Sequence, residues 1–189
     1  SYVPRVDESD WDIPESLSDE YLRDEREKAK AFYDSTDRSV VVEMPFRVPS
    51  GYGGMFGWSL KMMTDPDHCH RYMMRFAEAS ARNAVRYMEA VGEFLDVVVV
   101  CVDDFGLQDR EGFSPDLFAE HFVPAWRIVC DAVHNSSDVK TWIHCCGSVP
   151  NLIPHFIEAG IDCLNPVQWT AAGMDLAELK SKYGDRLVF

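Results

Sequence analysis

Leu95-Asp96-Val97-Val98-Val99-Val100-Cys101-Val102 carries β-branched residues at both odd and even positions, so a strand here is apolar on both faces. Strands of this kind belong to parallel sheets covered by helices, whereas a sheet with one wet face alternates apolar and polar residues. Gly92 punctuates the chain before this run, and Asp103-Asp104-Phe105-Gly106 follows it directly. Two acids placed straight after a buried strand serve either as a cap or loop anchor, or as groups that bind a ligand or metal.

Helical patterns flank the run. Upstream, Thr64 or Asp65 caps a helix that has Pro66 in its first turn and reaches about Ala90. Its apolar face is Met73, Phe76, Ala77, Ala84, Tyr87 and Met88. Downstream, Ser114 caps a helix with Pro115 at its first position, and Pro124 kinks or splits it. His121 and His134 read as ordinary residues of that element. A strand over 139–144 comes next, then a helix over Val149–Ala159 that stops at Gly160. Ile161–Leu164 is a short strand followed by Asn165-Pro166-Val167-Gln168. A helix from Asp175 to Tyr183 is closed by Gly184, and Leu187–Phe189 begins a fifth strand.

The amino-terminal third is less regular. Residues 1–17 hold two prolines, many acids and no clear period. Ser18 then caps a helix to about Tyr33, with acids in its first turn as the helix dipole prefers. Ser39–Met44 reads as a buried strand closed by Pro45. Residues 49–54, rich in glycine, lack the Lys-Ser/Thr ending of a phosphate loop. They suit a sharp turn or a close approach to the backbone. Phe56 and Trp58 are read as cover for the core, with lining a site as the alternative. Together these divide the chain into an acidic irregular segment plus helix over 1–39 and an α/β unit over 40–189.

Strand and helix alternate throughout that unit, each connection long enough for a crossover. The architecture is parallel α/β, either a barrel or an open doubly wound sheet. Polar residues cluster after the strands at 103–106, 144–148 and 165–168, the end where barrels carry their sites. The units are too few to close eight strands. The expectation is therefore a partial TIM (β/α)8 barrel, with exposed strand edges that favour a homo-oligomer.

Thr141-Trp142-Ile143-His144-Cys145-Cys146-Gly147-Ser148 is the richest stretch chemically. His144 and Cys146, two apart at a strand end, point to one side if extended geometry persists. An imidazole and a thiolate so placed are half of a zinc site; buried structural thiols are the alternative. His68, Cys69 and His70 are discounted as a cluster, because positions i and i+2 of a helix diverge.

Composition narrows the classes of partner. The 189 residues are 47% hydrophobic and 26% charged, as in globular domains, but 18 basic against 32 acidic residues leave −14. That charge argues against nucleic acid or an anionic membrane surface as the main partner. No apolar run reaches membrane-spanning length. The six cysteines sit mostly in apolar segments without a secreted-framework spacing, pointing to reduced thiols and a cytoplasmic protein.

The segments DDFGLQ (103–108), SPDLFAEHFVPAWRIV (114–129), WIHCCGSVPNLIPHFIEAGID (142–162) and LNPVQWTAAGMDLAELKSKYGDRLVF (164–189) resemble the uroporphyrinogen decarboxylase superfamily. The likeness covers about residues 40–189. Within that superfamily they look most like the corrinoid-dependent methyltransferase branch. The resemblance implies a TIM barrel in which a His-x-Cys pair, here His144 and Cys146, binds zinc together with a later cysteine expected beyond Phe189. Asp103, Asp104 and Cys163 are conceivable substitutes for that ligand. The implied enzyme is a methyltransferase moving a methyl group between a corrinoid, held on a partner corrinoid protein, and a small methyl donor or thiol acceptor. Asp103 and Asp104 then orient substrate or a histidine proton, and Asn165 and Gln168 supply neutral hydrogen bonds at the mouth. The rival implication is metal-free porphyrinogen decarboxylation in porphyrin metabolism, which relies on an arginine-rich motif and has no use for the His-x-Cys pair. The third is a non-catalytic barrel piece acting as a binding module.

Overall fold

The computed structural model describes residue 8, residues 11–43 and residues 45–189. Helix α1 spans Asp19–Asp34, capped by Ser18, whose side chain accepts the Tyr21 amide. Residues 11–17 of the expected irregular segment carry no helix or strand. Strand β1 is Val41–Glu43, and helix α2 is Gly54–Thr64. The long helix α3, Pro66–Val91, begins at Asp65, whose carboxylate accepts the His68 amide. A single 3₁₀ turn over Gly92–Phe94 leads into β2, Val97–Val102. The helix expected from Ser114 is split into α4 (Pro115–His121) and α5 (Val123–Ser136), with the break at Phe122 and Pro124 in the first turn of α5. Strand β3 is Lys140–His144, α6 is Ile153–Glu158, β4 is Cys163–Asn165 and α7 is Leu176–Tyr183.

The four strands pair in the order β1-β2-β3-β4, all parallel, and Val188 bridges to Cys163 on the far side of β4. A doubly wound sheet reverses its strand order partway across; this one does not. Sequential order with a helical segment between strands is the winding of a barrel, so the fold is α/β with part of a TIM barrel. No helix among the described residues is long and apolar enough to cross a membrane.

Several elements depart from the sequence-based expectation: α2 is an additional helix, and the fifth strand expected from Leu187 is a single bridge at Val188. The strand expected to be buried over 39–44 is an edge: Val40 is buried, but Val41 is 41% exposed and Glu43 is exposed. Its only strand partner among the described residues is β2, so one side lacks a neighbour. Met44 lies outside the described residues. The helix expected over 149–159 shrinks to α6, because Pro150 and Pro154 give up amide donors in its opening turns.

The layer over one face of the sheet is aromatic and tight. Phe105, Phe118, Phe122, Trp126 and Phe156 pack ring to ring, with Trp126 donating its indole N–H to the Pro49 carbonyl at 2.8 Å. Phe105, the residue after the acid pair, is thereby fixed in the core. The other sheet face, carrying Val99, Trp142 and Cys163, is only half-covered.

Candidate metal centre

The registers of β2, β3 and β4 bring Val102, His144 and Asn165 abreast. Val99 pairs with Trp142 but Cys101 pairs with Ile143, so β2 holds one extra residue at Val100. A bulge of this sort re-aims the residues beyond it. Here it sends the chain after Val102 across the end of β3.

Two glycines make that crossing feasible. A Cβ on Gly147 would lie 2.3 Å from the Gly106 carbonyl, and one on Gly106 would lie 2.5 Å from the Ser148 amide. Gly147 also has φ of +91°, a left-handed conformation that side chains resist. The backbones touch, and the Ser148 amide donates to the Leu107 carbonyl at 2.7 Å. Beneath the crossing lies Cys145, fully buried. Its sulfur accepts the Phe105 amide at 3.3 Å, and its own amide donates to the Asn165 carbonyl at 2.8 Å. Burial pushes its thiol up to about 12, so it stays protonated.

The crossing delivers Asp104 to the His-Cys-Cys stretch. Asp104 Oδ1 accepts the Cys146 amide at 2.7 Å. Cys146 Sγ lies 3.6 Å from His144 Nε2, and His144 Nδ1 lies 3.2 Å from Asn165 Oδ1. Donor atoms of Asp104, His144 and Cys146 all fall within 4.8 Å of one another, and no other such group occurs among the described residues. The Cys146 thiol is pushed upward, first by partial burial, then by the charge of Asp104 and a hydrogen bond to it. A cation among these donors would reverse that effect.

The donors suit zinc. With Zn–S near 2.3 Å and Zn–N near 2.0–2.1 Å, two ligands at a tetrahedral angle stand about 3.6 Å apart. That is the separation found between Cys146 Sγ and His144 Nε2. Asn165 engages the other imidazole nitrogen, as partners of metal-binding histidines do.

The remaining expected residues lie nearby in different roles. Asp103 is exposed, and the Cys101 thiol donates to its carboxylate at 3.9 Å. Neither Asp103 nor Cys163 belongs to the donor group. Gln168 is occupied with the loops: its Oε1 accepts the Gly147 amide at 2.8 Å, and its Nε2 donates to the Gln108 side-chain Oε1 at 3.3 Å. The His68-Cys69-His70 cluster stays apart, with His68 Nε2 hydrogen-bonded to the Tyr52 hydroxyl.

A cleft of about 320 Å³ opens at Asp104, lined also by Arg47, residues 50–55 at the entry to α2, Asp103, Phe105 and Phe113. Arg47 and Tyr52 line this cleft, and sequence reasoning passed over them. The glycines at 51, 53 and 54, all at positive φ, were the available signal, since they let the loop wall off a space. Burial pushes the Tyr52 phenol up to about 12, so it serves there as a neutral group.

No curated protein matches this chain. A family model described as uroporphyrinogen decarboxylase (URO-D) matches residues 29–189, a span that includes every strand, the crossing and the donor group, and the chain belongs to that family.

Proposed function

We propose that this chain is a zinc- and corrinoid-dependent methyltransferase of the uroporphyrinogen decarboxylase family. It moves a methyl group between a corrinoid held by a partner protein and a small methyl donor or thiol acceptor. The observation that carries the reading is the 3.6 Å spacing of His144 Nε2 and Cys146 Sγ at the carboxyl end of the sheet. Zinc bound there supplies Lewis acidity, which lowers the pKa of a thiol or polarises a leaving oxygen.

The chain's own residues set the stage for that chemistry. Asn165 Oδ1 accepts a proton held on His144 Nδ1, which keeps the Nε2 lone pair directed away from β4. Asp104 pins the Cys146 amide, so the Cys-Gly turn keeps one geometry. Gln168 does the same for the Gly147 amide. Asp103 and Arg47 line the adjoining cleft and orient a small substrate. All six cysteines are free, so Cys146 is available as a thiolate ligand.

Metal content tests the reading. Purified protein is expected to hold near-stoichiometric zinc by elemental mass spectrometry, and to lose it in both His144→Ala and Cys146→Ser. Zinc-loaded protein is then expected to demethylate methylcobalamin when given a thiol. Folded wild type without zinc sinks the proposal. Metal-free decarboxylation of a porphyrinogen then becomes the leading reading, favoured by the cation and carboxylate of Arg47 and Asp103 on one cleft.

A further inference from the structure

We infer that Asp104 is a third protein ligand of this centre, making it a mixed oxygen, nitrogen and sulfur site. The inference rests on the zinc reading above and goes beyond it, because a His-x-Cys pair alone cannot hold a metal firmly. Three features select Asp104 from the acids nearby.

Placement comes first. The carboxylate of Asp104 lies with His144 and Cys146 inside 4.8 Å, whereas its neighbour Asp103 does not. The chain secures this difference through the Val100 bulge, the burial of Phe105 and the glycine crossing. Oδ1 of Asp104 is held by the Cys146 amide. A carboxylate offers about four lone-pair sites, so that bond leaves room for a cation.

Charge comes second. A neutral imidazole and one thiolate leave Zn²⁺ with an uncompensated positive charge; adding a carboxylate brings the resting centre to neutrality. Donor softness comes third. Carboxylate oxygen is a harder donor than a second thiolate. It transfers less charge to the metal and leaves it the stronger Lewis acid.

Cobalt(II) titration of chelator-treated protein tests the assignment without any assay of activity. Wild type is expected to bind with intense tetrahedral d–d bands and one thiolate charge-transfer band. Asp104→Asn, which keeps an acceptor for the Cys146 amide, is expected to retain the charge-transfer band while losing at least about 100-fold in affinity, more than outer-shell changes usually cost. Asp103→Asn is expected to bind within about threefold of wild type, and Asp104→Glu to recover part of the lost affinity. Metal binding that depends on His144 and Cys146 but not on Asp104 overturns this inference alone, as does equal weakening by Asp103→Asn. Wild type that binds neither cobalt nor zinc overturns it together with the zinc reading.

Discussion

Gly106 and Gly147 set the distance between the two loops of the centre. Each would drive a Cβ into the other's neighbourhood, at 2.5 Å and 2.3 Å from backbone atoms that have nowhere to move. Gly147→Ala adds the strain of a positive φ. Both alanine variants are expected to lose more than about 1 kcal/mol of stability, since the native conformation does not admit the new side chain. Urea unfolding measures the loss, and metal affinity should fall in parallel because Asp104 moves away. An alanine at Gly57, which meets nothing within 4 Å, is the control and should leave both unchanged or slightly improved. Unchanged metal affinity in Gly147→Ala would show that the centre does not depend on the crossing.

Helix α2 illustrates how an element can hide from periodicity. Phe56 is 84% exposed and Met63 is 72% exposed, while Trp58 is only 1% exposed and Lys61 is buried beside Asp65 at 2.8 Å. Phe56 thus contradicts its reading as core cover, whereas Trp58 supports it. The apolar residues face both ways, and Gly53, Gly54 and Gly57 dilute the helical signal, so no moment marks the helix in the sequence. Trp58→Ala is expected to cost about 3–5 kcal/mol, the usual loss for a buried large aromatic. Phe56→Ser should change stability by less than about 0.5 kcal/mol. Thermal or urea denaturation separates the two. A large effect at Phe56 would mean that its exposed ring is covered in solution.

Across the molecule, Asp162 ties three elements together. Its carboxylate accepts from the Thr141 amide at 2.9 Å at the start of β3, meets His134 of α5 at 2.8 Å, and precedes β4 directly. Partial burial pushes its pKa up, but the His134 and Thr141 hydrogen bonds outweigh that and hold it below the ordinary carboxylate value. A depressed folded-state pKa stabilises the fold above the unfolded-state value, near 3.9, and that contribution fades as pH falls through the folded value. Asp162→Asn is therefore expected to cost about 1–3 kcal/mol at pH 7. The gap to wild type should narrow below about pH 4. Urea denaturation at pH 7 and pH 3 checks this, and a constant gap would show that the carboxylate charge plays no part.

What the sequence determined by itself was the local and periodic content of the protein. Valines at successive positions of 97–102 marked a strand of a parallel sheet, Ser18, Asp65 and Ser114 marked helix starts, and Pro124 signalled the break between α4 and α5. His144 and Cys146 were legible as a pair because extended geometry puts alternate residues on one side. Tertiary structure alone decided which of two adjacent aspartates meets that pair, and whether strand order would reverse. Those outcomes depend on a bulge at Val100, a contact between glycines 41 residues apart and the anchoring of Phe105 among distant rings. Each is a through-space event between segments far apart in the chain, and side-chain period along one segment carries no record of it.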